Sequence, residues 1–250
     1  MTDMSQTVTP GSAAPAAAPR SLPARILGVI FSPRATYAAI AARPHWLGVL
    51  ALIVVVGGTG TFVFMSTEIG KEAWIDAGVR QSESFSGRPM SDAQYDRMEQ
   101  LAKYAPYIGV AGQAVSLPLM AVVISAIALA VFTAALGGDA SFKQVLAIVS
   151  HSGVVVLLSQ LFGLPIAYAR ETMSSAANLA VFTPFLDETT FAARVLGSID
   201  LFIVWWVVSL SIGLGVLYKK RTGPIATTLL ILYVAIGVVI AAIKSAVSGA

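Results

Sequence analysis

"SFKQVLAIVSHSGVVVLLSQLFGLPIAYA", residues 141–169, decides the fold. Between Lys143 and Arg170 it carries no Asp, Glu, Lys or Arg. An uninterrupted apolar run of this kind meets the length of about 20 residues that a helix needs to cross a bilayer. Ser141 followed by Gln144 three residues later is a capping box, so the helix has a defined start. Yet the run also holds Ser150, His151, Ser152, Ser159 and Gln160. Those residues are either a working site inside the membrane or the polar packing by which spans find one another.

The composition supports the membrane reading. Apolar residues make up 56% of the 250 and charged residues 12%, against about 25% charged in a soluble domain. So few charges cannot cover a water-facing surface. There is no cysteine, which excludes disulfides, thiolate metal sites and cysteine nucleophiles. His45 and His151 are the two histidines, too few for a histidine metal centre. No HExxH or GxSxG motif and no carboxylate cluster within a span is present, so no catalytic, cofactor-binding or metal-binding residue is assigned. The net charge of +3 is small, and no nucleic-acid partner is expected.

Outward from the opening stretch, the chain divides as follows. Residues 1–21 are rich in Pro, Ala, Ser and Thr and are expected to be a disordered tail. Residues 22–45 form short amphipathic helices at the membrane surface, with Ser32 as a cap, Pro33 at the first helical position and Pro44 as the stop. Five apolar stretches follow at about 46–65, 107–136, 145–169, 199–218 and 224–246. Pro118 in the second predicts a kink or tilt. Between the first two, residues 66–106 carry a second capping box, Ser91 with Gln94, and a stripe of Tyr95, Met98, Leu101 and Ala102 at helical spacing. A helical hairpin over the outer face is expected there. "GGTG" at 57–60 lies inside a span and reads as tight helix contact rather than a phosphate loop. The fold class is an all-α polytopic membrane bundle of five transmembrane helices, with interfacial N-terminal helices and a helical outer loop.

Basic residues near span ends set the orientation. Arg20, Arg25, Arg34 and Arg43 precede the first span with Asp3 as the accompanying acid, and "KKRTG" at 219–223 joins the last two spans. Five spans put both regions on one side, so the N-terminus is expected in the cytoplasm and the C-terminus outside, in the inner (cytoplasmic) membrane.

On a helical wheel of about 100° per residue, Ser152, Gly153, Ser159, Gln160 and Gly163 share an arc of roughly 120°, with His151 on its shoulder. Ser211 or Thr133 is at the depth of His151 and is expected to be its hydrogen-bond partner. Gln160 is expected level with Trp205 and Trp206. Asp200 opens the fourth span about 20 Å from His151, too far for a proton relay. Ser209 with Gly213, and Ser211 with Gly215, give the fourth span two small-residue faces and a place at the bundle centre. The candidate polar pocket or packing set is therefore His151, Ser152, Ser159, Gln160, Trp205, Trp206 and Ser211.

"FSPRATYAAI" at 31–40, "SFKQVLAIVSHSGVVVLL" from 141 and "GSIDLFIVWWVVSLSIGLGVLYKKRTG" from 197 together resemble the bacterial branch of the Yip1 domain family, over residues 24–246. The resemblance implies five helical spans and a cytoplasmic N-terminus. Eukaryotic members are linked to vesicle traffic, Rab GTPases and membrane shaping. The expected function is non-enzymatic: organising or scaffolding membrane components. Its partners would be membrane lipids and another protein, or a second copy meeting the small-residue faces. The alternative is a small transporter, channel or lipid-handling protein with its pocket between spans three and four.

Overall fold

The computed structural model describes residues 21–135, 137–187 and 190–248. The expected tail lies outside these residues except for Ser21. Among the described residues the named elements are all helical, with one isolated antiparallel bridge between Asn178 and Asp200. Helices α1 (Leu22–Phe31) and α2 (Pro33–Ala42) come first, each with proline in its opening turn, where a missing N–H leaves no bond unmade. Ser32 stands at the α2 N-cap, but its side chain makes no capping bond; its carbonyl accepts from Thr36 N–H at 3.1 Å.

Helix α3 (Leu47–Met65) leads to α4 (Glu68–Ser86) and α5 (Asp92–Ala102), which pack on each other. Helix α6 (Ala105–Leu129) runs through Pro118 and ends in a π-helical turn, Ala130–Ala135. Gly137, at φ 66°, takes the left-handed conformation that closes it. The opening stretch then forms α7 (Phe142–Ser152) and α8 (Val154–Ala169). A 3₁₀ turn (Leu179–Phe182) and α9 (Phe191–Ser198) follow, then α10 (Leu201–Leu217) and α11 (Thr222–Ser248).

Four stretches are long and apolar enough to cross a membrane: Leu47–Met65, Ala105–Thr133, Phe142–Ala169 and Thr222–Val247. The remaining expected span is α10, apolar but 17 residues long, at the lower limit of the spanning range. By chain order, α4, α5 and residues 170–200 gather at one end of the bundle and the 218–221 turn at the other. Contacts of α11 with α4 and α9 hold the loop-rich end together.

The opening stretch is the best-buried span at 61%, whereas α11 is 11% buried. Helix α10 packs against α2, α7, α8 and α11. Its small residues explain that position. A Cβ on Gly213 would overlap Ile148 of α7 and meet the Tyr37 ring at 3.2 Å. The Tyr37 hydroxyl lies 2.7 Å from Ser209 Oγ, in the middle of α10. Burial pushes the Tyr37 phenol up from its ordinary range, so it stays protonated and able to bond.

Two expectations change. Helix α2 does not simply lie on the surface: Thr36, Tyr37 and Ile40 are fully buried against α7 and α10, because the Ser209–Gly213 face admits an aromatic ring. The third span is not one helix. It breaks at Gly153, where Ile53 of α3 approaches to 3.2 Å of a hypothetical Cβ.

Gly213→Val should lower the melting temperature in detergent, by an overpacking cost of about 1–3 kcal/mol. Tyr37→Phe, which strands the Ser209 hydroxyl, should cost about 1 kcal/mol. Tryptophan-monitored melts of both variants check this, and an unchanged Gly213→Val melt would refute the close α2–α7–α10 contact.

Candidate functional site

The polar residues of the third span do not converge on one pocket. They fall into two groups on either side of the one-residue interruption at Gly153, whose own backbone stays in the helical region at φ −59° and ψ −13°. On α7, Ser152 Oγ donates to Val149 O at 2.8 Å and accepts the Trp206 indole N–H at 3.0 Å, tying α7 to α10. This bond joins two residues of the expected set.

His151 is fully buried. Its Nδ1 lies 2.7 Å from Ala147 O. A carbonyl can only accept, so Nδ1 carries the proton in the neutral ring. Nε2 has no partner among the described residues. Neither Ser211 nor Thr133 bonds to it. Ser211 Oγ donates instead to Val207 O at 2.7 Å, and Thr133 Oγ1 is itself without a partner among the described residues. The physical reason is local for two of the three: a helical carbonyl one turn back takes His151 Nδ1 and Ser211 Oγ before a neighbouring helix can.

On α8, Gln160 turns toward α3 and α6. Its Oε1 accepts from Gln113 Nε2 at 3.1 Å, and its Nε2 donates to Thr61 Oγ1 at 3.0 Å. Thr61 Oγ1 donates to Gln113 Oε1 at 3.1 Å, closing a ring of three side chains from three helices. Gly57 makes room for it: a Cβ there would overlap both amides. The tight-contact reading of "GGTG" therefore has a specific content. Sequence reasoning missed Thr61 and Gln113 as partners. The available signal was that Gln113 and Gln160 are the two glutamines deep within apolar runs, where each needs a partner.

Trp205 does not join Gln160. It is 37% exposed and packs on Phe202 at 6.1 Å between ring centres. Phe202 in turn packs on Phe162 at 5.4 Å. Trp205 thus belongs to an aromatic row on the bundle's outside. Ser159 and Gln160 line two cavities, of about 310 and 420 Å³, on either side of the amide ring. A third, of about 190 Å³, is apolar and lies between Leu117, Ile124, Ser150 and Trp206. Asp200 caps α10, accepting from Phe202 N–H at 2.7 Å and Ile203 N–H at 3.2 Å, and it also accepts the Ser175 hydroxyl. Among the described residues no group of three or more His, Asp or Glu could hold a metal ion.

The arrangement is hydrogen-bonded helix packing with space beside it. Comparison with known families agrees with this architecture: the family model described as Yip1 domain matches residues 27–243. No curated protein and no solved structure matches the chain.

Gln113→Leu and Gln160→Leu should each destabilise the chain by roughly 0.5–1.5 kcal/mol. Because they remove one shared ring, the double variant should lose clearly less than the sum. Additive losses in a double-mutant cycle would show that the two amides are independent.

Proposed function

The chain belongs to the Yip1 family, and on that premise we propose that this multi-pass membrane protein is non-enzymatic and organises other membrane components within the bilayer. One observation carries the reading. Ser152 with Trp206, Tyr37 with Ser209, and Thr61 with Gln113 and Gln160 are spent on holding the bundle together, while α11 turns most of its apolar surface outward, with 11% of its span buried. Leu232, Val239 and Ile243 are at least half exposed along it. A long apolar face bounded by lipid suits contact with another span, from a partner protein or a second copy.

The same reading places the protein in the inner (cytoplasmic) membrane, with five spans, the N-terminus in the cytoplasm and the C-terminus outside. Its support is the charge distribution. Arg25, Arg34, Arg43, Lys143, Lys219, Lys220 and Arg221 cluster at one end, where Asp139 is the accompanying acid among the described residues. At the other, Glu68, Asp76, Glu83, Asp96, Glu171 and Asp200 are mixed with Lys71, Arg80, Arg88, Arg97, Lys103, Arg170, Arg194 and Lys244. The orientation therefore rests on the short basic turn at 219–221 and the acid-poor segment before the first span, which agree on the side that the cytoplasm retains.

Photo-crosslinkers at Leu232, Val239 and Ile243 in living cells should capture a stoichiometric partner, identified by mass spectrometry. The same probe at buried Leu214 should not. Capture of lipid alone from all three positions would end the organising proposal. Since the chain has no cysteine, single cysteines at Arg43 and Gln81 test orientation directly. A membrane-impermeant thiol reagent added outside should label Gln81→Cys and spare Arg43→Cys; the reverse pattern would invert the topology.

A further inference from the structure

At the loop-rich end, residues 170–187 and 190–200 fold over a cavity of about 580 Å³. Its cations come from two distant parts of the chain, Arg80 on α4 and Arg170 where α8 ends. Thr172, Ser174, Ser175 and Asn178 add hydroxyls and an amide, and among the described residues no carboxylate lines it. Arg80 donates to Thr172 Oγ1 at 3.5 Å and stands 3.9 Å from Asp76, a long and exposed pair. The Arg170 guanidinium makes no hydrogen bond or ion pair among the described residues. Asp200 lines the adjoining 310 Å³ cavity beside Ser175, where its carboxylate is engaged by the Ser175 hydroxyl and two backbone amides. Arg170 therefore presents an unneutralised positive charge to the chamber, with Arg80, held loosely by Asp76, beside it.

Ser174 and Ser175 also border the 310 Å³ cavity described above, so the two spaces meet there. Below that border the walls become apolar: Phe64, Met65, Phe162, Leu164 and Ala167 lead down to Gln160. Gly163 keeps the slot open, with no heavy atom within 4 Å of where its Cβ would lie.

A cationic chamber opening into an apolar slot matches a molecule with an anionic phosphate at one end and hydrocarbon at the other. Guanidinium groups suit phosphate because their planar N–H fork matches its oxygens. Spaces of roughly 300–1,000 Å³ are the size that holds small ligands. We propose that these joined cavities bind an anionic phospholipid, with its phosphate between Arg80 and Arg170 and an acyl chain in the slot toward Gln160. This assignment goes beyond the organising role and does not depend on it.

The test is native mass spectrometry of the full chain in mild detergent, titrated with phosphatidylglycerol or with phosphatidylcholine of the same acyl chains. Phosphatidylglycerol should be retained preferentially. Arg80→Gln with Arg170→Gln should weaken its binding about tenfold and leave phosphatidylcholine retention and the melting temperature unchanged. Arg170→Gln alone, which breaks no contact within the chain, should give part of that loss. Gly163→Leu, filling the slot without a clash, should also expel the lipid. Undiminished phosphatidylglycerol binding in the arginine variants overturns the proposal. So does displacement of the lipid by inorganic phosphate together with an unaffected Gly163→Leu variant, which would identify a soluble anion as the occupant.

Discussion

Within a bilayer, an apolar side chain gains little by leaving lipid for protein, so the usual hydrophobic drive cannot hold helices together. What remains is close approach and the pairing of polar groups. This chain depends on that constraint at α10. Ser209 and Gly213 let the Tyr37 ring of α2 and Ile148 of α7 reach the α10 backbone, and the Tyr37 hydroxyl closes the contact on Ser209. Take away that small face and α2 has no reason to be buried. Helices α7 and α10 would then stand further apart, and the Ser152–Trp206 bond between them would be out of reach.

A second contact does the same work on the other side of the bundle. Gly57 on α3 leaves the space in which Gln113 of α6 and Gln160 of α8 meet over Thr61. Each of these groups would be costly alone in hydrocarbon. Together they satisfy one another and fix which faces of three helices turn inward. The two contacts share the third span, α7 belonging to one and α8 to the other, with Gly153 between them. That division explains why a single span carries so many polar residues without forming a single site.

Much of this could be read from the sequence, because the signals were local. The Ser141–Gln144 box, the stop at Pro44 and the small-residue pairs on the fourth span each act within a few residues of themselves. What could not be read depended on the chain's return from a distance. A helical wheel sets Ser152 and Gln160 about 80° apart within one arc, yet one meets α10 and the other meets α3 and α6, because different neighbours stand at the two depths. His151 was given a partner across the bundle, whereas the carbonyl of Ala147 was nearer. Trp205 and Trp206 are sequence neighbours, so α10 points them to different sides: one to the aromatic row, the other to Ser152.

Helix α10, with 17 residues, measures about 25 Å, and α11, with 27, about 40 Å. A hydrocarbon layer is about 30 Å thick. The shorter helix therefore lies inside the bundle, sheltered by its neighbours, while α11 and the 29-residue stretch Ala105–Thr133, 22% buried, stand against lipid. A rim helix that exceeds the layer must lean or draw the surrounding lipid thicker, at a cost of fractions of a kcal/mol per ångström. The lipid in contact with α11 and α6 thus meets a greater hydrophobic height than a 17-residue helix would present. The protein's fit to a membrane is set by these two long outer helices, and bilayer thickness acts on it there.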